Sequence, residues 1–124
     1  MIDMNQSKAT YLWLLLLFSY CALIYCLSDQ SHLPVPYVFD MQDKLIHATA
    51  YAIMAFIFWQ SWRERLPIFL LAVLAVVFCS LFGVTDEWHQ SFVPGRDASV
   101  FDWLADTTGA FVLTMVLYKR EFVR

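Results

Sequence analysis

The sequence predicts an all-α, polytopic membrane protein whose four transmembrane helices form one compact bundle. Three observations carry this. Hydrophobic residues make up 60% of the 124 residues and charged residues 15%, whereas a soluble domain is nearer half apolar and a quarter charged. Four apolar runs each approach the ~20 residues that cross ~30 Å of hydrocarbon. The acidic and histidine side chains gather toward one end of those runs. A soluble chain of this composition would expose large apolar patches; helices in lipid satisfy their own backbone and need no such cover. The length suits one domain, residues 1–124.

The first run, 11–27, follows the single cation Lys8 and precedes no small-x-small cleavage site, so it reads as an uncleaved span. Pro34 and Pro36 hold the next connector extended. Asp40, with Asp43 three residues on, resembles a helix start for the second span, 44–62. Pro67 suits the first turn of the third, which spans 67–84. No breaker separates Val84 from Phe92, so a helical extension to about residue 92 is expected before Pro94-Gly95 stops it. Ser99-Val100-Phe101-Asp102 reads as a capping box opening the fourth span, 100–118. Cys21, Cys26 and Cys79 lie inside apolar runs and read as small buried hydrophobes.

Charge sets the orientation. Lys8, Arg63, Arg65, Lys119, Arg120 and Arg124 fall on one side, with Asp3, Glu64 and Glu121. Lys44 and Arg96 fall on the other, with Asp29, Asp40, Asp43, Asp86, Glu87, Asp97, Asp102, Asp106 and the three histidines. The positive-inside rule then places both termini in the cytoplasm. A net charge of −3 with no basic cluster excludes nucleic acid as a partner. Membrane lipid is the expected one.

The outer end holds the residues with chemistry. Asp43, His47 and Tyr51 stack along one helix face, each ~6 Å deeper than the last. Asp43 suits the helix dipole and Tyr51 suits an interfacial aromatic belt. A histidine one turn inside a span needs an interior partner. On the extended third helix, Gly83, Asp86, Glu87 and Gln90 share a face, while His89 points round toward solvent. Gly83 and Gly109 permit close helix approach. Asp102 has a capping role; Asp106 has none, and an unpaired carboxylate at that depth costs several kcal/mol. Crowded carboxylates cannot all stay ionised. Protonation, a cationic His47 or a bound divalent cation each resolves the crowding. For the last, His47, Glu87 and Asp106 are the candidate ligands, although their spacing matches no specific metal motif.

The ordered set Asp43-Lys44-x-x-His47-x-x-x-Tyr51, Asp86-Glu87-x-His89-Gln90 through Arg96, and Asp102-x-x-x-Asp106-x-x-Gly109 resembles the VanZ-like family. The likeness covers three of the four helices, from about Asp40 onward, and many relatives carry Asn where Asp106 stands. It implies a bacterial cell-envelope protein of the inner membrane. The family takes its name from an accessory protein of glycopeptide resistance that lowers sensitivity to teicoplanin. Four readings follow. A hydrolase or transferase acting on a lipid-linked envelope substrate would use His47, Asp43, Glu87 and Asp106 as catalytic groups. Arg96, Gln90, Lys44, Tyr51 and Asp102 would then bind substrate, with Arg96 gripping a phosphate or carboxylate. A non-catalytic protein would sequester a lipid headgroup or antibiotic in the same mouth, with Trp88, Phe92 and Trp103 against its apolar part. A proton- or ion-coupled carrier would require a homo-oligomer. A purely structural charge network is the fourth.

Overall fold

The structure, a computed structural model, describes residues 4–32 and 34–123. Asp3 and Arg124, counted in the charge balance, lie outside them. Four helices follow in order: α1 (Met4–Ser28), α2 (Gln42–Trp62), α3 (Ile68–Gln90) and α4 (Val100–Phe122). Among the described residues there is no strand.

Helices α1, α3 and α4 are long and apolar enough to cross a membrane. The apolar window of α2 is shorter, because Asp43, Lys44 and His47 occupy its first turns and Gln60 and Ser61 its last. Its place in the bundle explains why this suffices. Tyr51, Met54, Ala55, Ile57, Phe58 and Trp59 are buried on α2, while the large exposed apolar side chains cluster on α1, α3 and α4. The central helix meets protein on most sides, and its neighbours meet lipid. Exposed residues such as Leu12, Leu15, Phe18, Val73, Val77, Phe111 and Val112 would be an aggregation surface in water and are the expected surface in a bilayer.

The contacts fix the helix directions. Tyr20 Oη donates to the Ala50 carbonyl at 2.9 Å and Trp13 meets Phe56 edge-on, so α1 and α2 run antiparallel. Phe58 stacks on Phe78 and Tyr51 leans on Phe82, so α2 and α3 are antiparallel too. Helices α2 and α4 run parallel, paired from His47–Asp106 at one end to Trp59–Glu121 at the other. Gly109 makes their contact close: a Cβ there would lie 2.0 Å from the Ala48 carbonyl oxygen. Both helices therefore begin at the same end of the bundle, where α3 finishes.

Several local expectations are corrected. Asp40 does not start α2: its N-cap is Met41, left-handed at φ 68° and without a side-chain cap, while Asp40 accepts from Tyr37 Oη. Gln42 orders that connector by accepting from Val38 N–H at 2.7 Å and donating to the Pro36 carbonyl at 2.9 Å. Ser99 caps α4 by accepting from Phe101 N–H, but Asp102 does not close a box, because the Ser99 N–H donates to Glu87 instead. His89 does not face solvent: it is stacked on Tyr25 and 3.1 Å from Asp29, since α1 flanks that side of α3. Of the cysteines, Cys79 is buried, Cys21 partly so, and Cys26 is exposed on the outer face of peripheral α1. The α3 helix ends at Gln90, two residues short of Phe92, where Phe92 and Val93 bond back three residues and Gly95 turns the chain at φ 83°.

Candidate functional site

The convergence of α2, α3 and α4 buries four ionisable side chains together. His47, Asp86, Glu87 and Asp106 are all buried, and each offers one ligand atom within 4.8 Å of the others. His47 Nδ1 lies 2.8 Å from Asp106 Oδ1 and 4.0 Å from Glu87 Oε1. With Asp106 ionised, and so able only to accept, the imidazole donates from Nδ1 in this short bond and Nε2 is the other ring nitrogen. The two glycines make the meeting geometric. Gly109 lets α4 touch α2, and a Cβ on Gly83 would lie 3.0 Å from Asp106 Oδ2.

Neutral donors and the loop after α3 hold the carboxylates. Tyr51 Oη donates to Asp86 at 3.2 Å, with Gln90 Nε2 at 3.4 Å from the same oxygen. Arg96 donates to Gln90 Oε1 at 2.9 Å. The Ser99 N–H donates to Glu87 Oε2 at 2.8 Å. Lys44 bridges Asp102 and Asp43, the latter at 3.2 Å. That spends the local lysine on Asp102. Among the described residues neither lysine nor arginine forms an ion pair with Asp86, Glu87 or Asp106; the imidazole of His47 is the basic group that Glu87 and Asp106 face. Two carboxylate oxygens there, Glu87 Oε1 and Asp106 Oδ2, are buried without a hydrogen-bond partner.

Two cavities lead to this cluster. An outer cleft of about 590 Å³ is lined by Tyr37, Phe39, Lys44, Asp102 and the Gly95–Asp97 turn, among others. An inner cavity of about 70 Å³ is lined by Ser28, His47, Tyr51 and Asp86, among others. Gln90 and Arg96 line both. They stand where the cleft meets the buried cluster, and Arg96, half-buried, keeps donors to spare beyond its bond to Gln90.

Of the residues expected at the site, His47, Glu87 and Asp106 form its centre, with Tyr51 and Gln90 against it and Arg96 at its entrance. Asp43 and Asp102 lie at the rim with Lys44. Asp43 is exposed, although its carboxylate comes within 4.8 Å of His47 and Asp102. Asp86 belongs at the centre as well; its position on one face with Gly83 and Gln90 is the sequence signal that places it there. The aromatics at the mouth differ from those expected. Trp88 and Phe92 pair edge-on at the surface, and Trp103 donates to Ser80 across the α3–α4 contact. Tyr37 and Phe39 from the α1–α2 connector line the cleft instead. No periodic pattern announces a connector residue, so only the fold reveals that role.

No curated protein and no solved structure matches the chain. The family model described as VanZ/LLP1 matches residues 5–123, nearly the whole chain, including the three helices that build the site. The chain therefore belongs to the VanZ/LLP1 family.

Proposed function

We propose that this VanZ-family membrane protein is a hydrolase acting on a phosphate-bearing, lipid-linked substrate of the bacterial cell envelope. The substrate enters from the outer face of the inner membrane. The observation that carries the reading is the sequence of parts along one path: an open cleft with Lys44 and Arg96, then Gln90 and Arg96 at its inner end, then the buried His47–Asp106 pair. A packing network would not need a cleft leading to its most expensive buried charges.

The chemistry follows from the roles those groups can play. Arg96 binds a phosphate oxygen with the donors that Gln90 leaves free. Asp106 fixes the imidazole, so His47 Nε2 accepts a proton from a water molecule as its oxygen bonds to phosphorus. The bond to the leaving oxygen breaks, and His47 returns the proton to that oxygen. General-base catalysis of this kind contributes ~10²–10⁴-fold. His47→Ala is therefore expected to lower turnover of a lipid-linked phosphate substrate by at least ~10²-fold in reconstituted vesicles, while affinity for substrate stays within a few-fold. Arg96→Ala is expected to weaken binding first. Equal turnover in wild type and His47→Ala would refute His47 as the general base. Retained, Arg96-dependent affinity without turnover in either protein would establish a headgroup-binding protein instead.

A further inference from the structure

We propose that His47, Asp86, Glu87 and Asp106 form a binding site for one divalent transition-metal ion, Mn²⁺ or Zn²⁺. The proposal rests on the hydrolase reading and deepens it, although the metal site can be tested without any substrate.

Geometry is the first support. Metal–ligand bonds of ~2.1 Å limit opposite ligands to ~4.2 Å apart. The four candidate atoms already lie within 4.8 Å of one another, so contraction by a few tenths of an ångström completes the set. They come from three helices whose spacing is fixed by Gly83 and Gly109, which preorganises the site. The second support is independent of proximity. Glu87 Oε1 is buried, has no hydrogen-bond partner, and faces the imidazole at 4.0 Å. Asp106, fully buried, leaves Oδ2 equally unpartnered. Buried polar atoms are ordinarily satisfied, and an exception calls for a missing partner. The missing partner must accept lone pairs from two carboxylates in a place that no lysine or arginine reaches, and a cation does this.

The donor set selects the ion. Three carboxylates suit hard cations, and the imidazole shifts preference toward first-row transition metals. Mn²⁺ and Zn²⁺ satisfy both. Binding the ion changes one role: His47 would release the Nδ1 proton it shares with Asp106 and become a ligand, and the water it would otherwise deprotonate would be acidified by the metal. The oxygen of that water bonds to phosphorus as the bond from phosphorus to the leaving oxygen breaks; a carboxylate of the cluster would take the water's proton and return it to the leaving oxygen.

The experiment uses the full chain in lipid nanodiscs, stripped with EDTA and titrated with Mn²⁺ or Zn²⁺ alone. The expected result is one ion per chain, with histidine nitrogen coupling in the Mn²⁺ electron spin echo spectrum. Glu87→Gln, which keeps the shape, is expected to weaken binding by at least ~10-fold without lowering the melting temperature of the stripped protein. Folded wild-type protein that holds no ion at millimolar metal would overturn the proposal. So would an ion bound without nitrogen coupling, or bound as well by Glu87→Gln. Should His47→Ala abolish turnover while wild type binds no metal, this inference falls and the acid–base reading stands. One bound ion with no turnover in any assay would keep the site and remove the hydrolase.

Discussion

At the scale of single residues, the site is a set of charges whose partners differ in kind. Asp102 has a lysine and Asp106 has a histidine, while Glu87 has a backbone amide on one oxygen only. The Lys44–Asp102 pair is the most conventional. Removing one member of a buried pair leaves a charge in low dielectric, at ~3–5 kcal/mol when both are fully enclosed. Lys44 keeps 28% of its side chain exposed and lines the open cleft, so Lys44→Met is expected to destabilise by less than that range, about 1–2 kcal/mol. The double change Lys44→Met with Asp102→Leu should restore most of the loss, because an apolar pair needs no solvation. Thermal unfolding in detergent, followed by tryptophan fluorescence, measures both. His47 and Asp106 were legible in the sequence because depth in an apolar run makes a titratable group expensive. The direction of their pairing was not: Asp43, four residues before His47, is as plausible a neighbour on paper, and only the α2–α4 contact selects Asp106.

At the scale of elements, glycine decides how close the helices come. A Cβ at Gly109 would meet the backbone of Ala48, whose carbonyl oxygen, carbon and Cα all lie within 2.7 Å of it. The helices must separate to admit it. Gly109→Ala is expected to lower stability by about 3 kcal/mol or more, since overpacking in a rigid contact costs ~1–3 kcal/mol and this one meets backbone. Shortening Ala48 to Gly should not rescue it, because the obstacle is a carbonyl group and not a side chain. At Gly83 the neighbours are the Asp106 carboxylate and the Trp103 ring, which can give way, so Gly83→Ala should disturb the site more than the fold. The same thermal assay, set beside turnover, separates the two cases. The helices themselves were readable from apolar runs and from the absence of breakers before Pro94. Their ends were less so. The Asp40 start and the Asp102 capping box fail because other partners claim the groups: Tyr37, within the same connector, takes Asp40, while across the bundle Lys44 takes Asp102 and Glu87 takes the Ser99 N–H.

At the scale of the whole molecule, one end of the bundle carries the expensive charges and the other carries most of the basic residues. The α1–α2 connector and the α3–α4 turn cover the acidic end, and Arg63, Glu64 and Arg65 join α2 to α3 at the opposite one. The orientation proposed from the charge balance, with both termini cytoplasmic, predicts that a cysteine introduced at Asp97 reacts from outside intact cells with an impermeant thiol reagent and one at Glu64 does not, once exposed Cys26 is replaced. The order of motifs along the chain made the family legible, yet the cleft wall built from Tyr37 and Phe39 was not, since a connector has no periodicity to read. Everything functional depends on His47 and Asp106 meeting across α2 and α4 as one buried unit. A double-mutant cycle on stability in lipid micelles, using His47→Ala, Asp106→Ala and the double variant, tests that most directly. Coupling of about 1–3 kcal/mol between the two sites is predicted, and losses that simply add to within about 0.5 kcal/mol would contradict it.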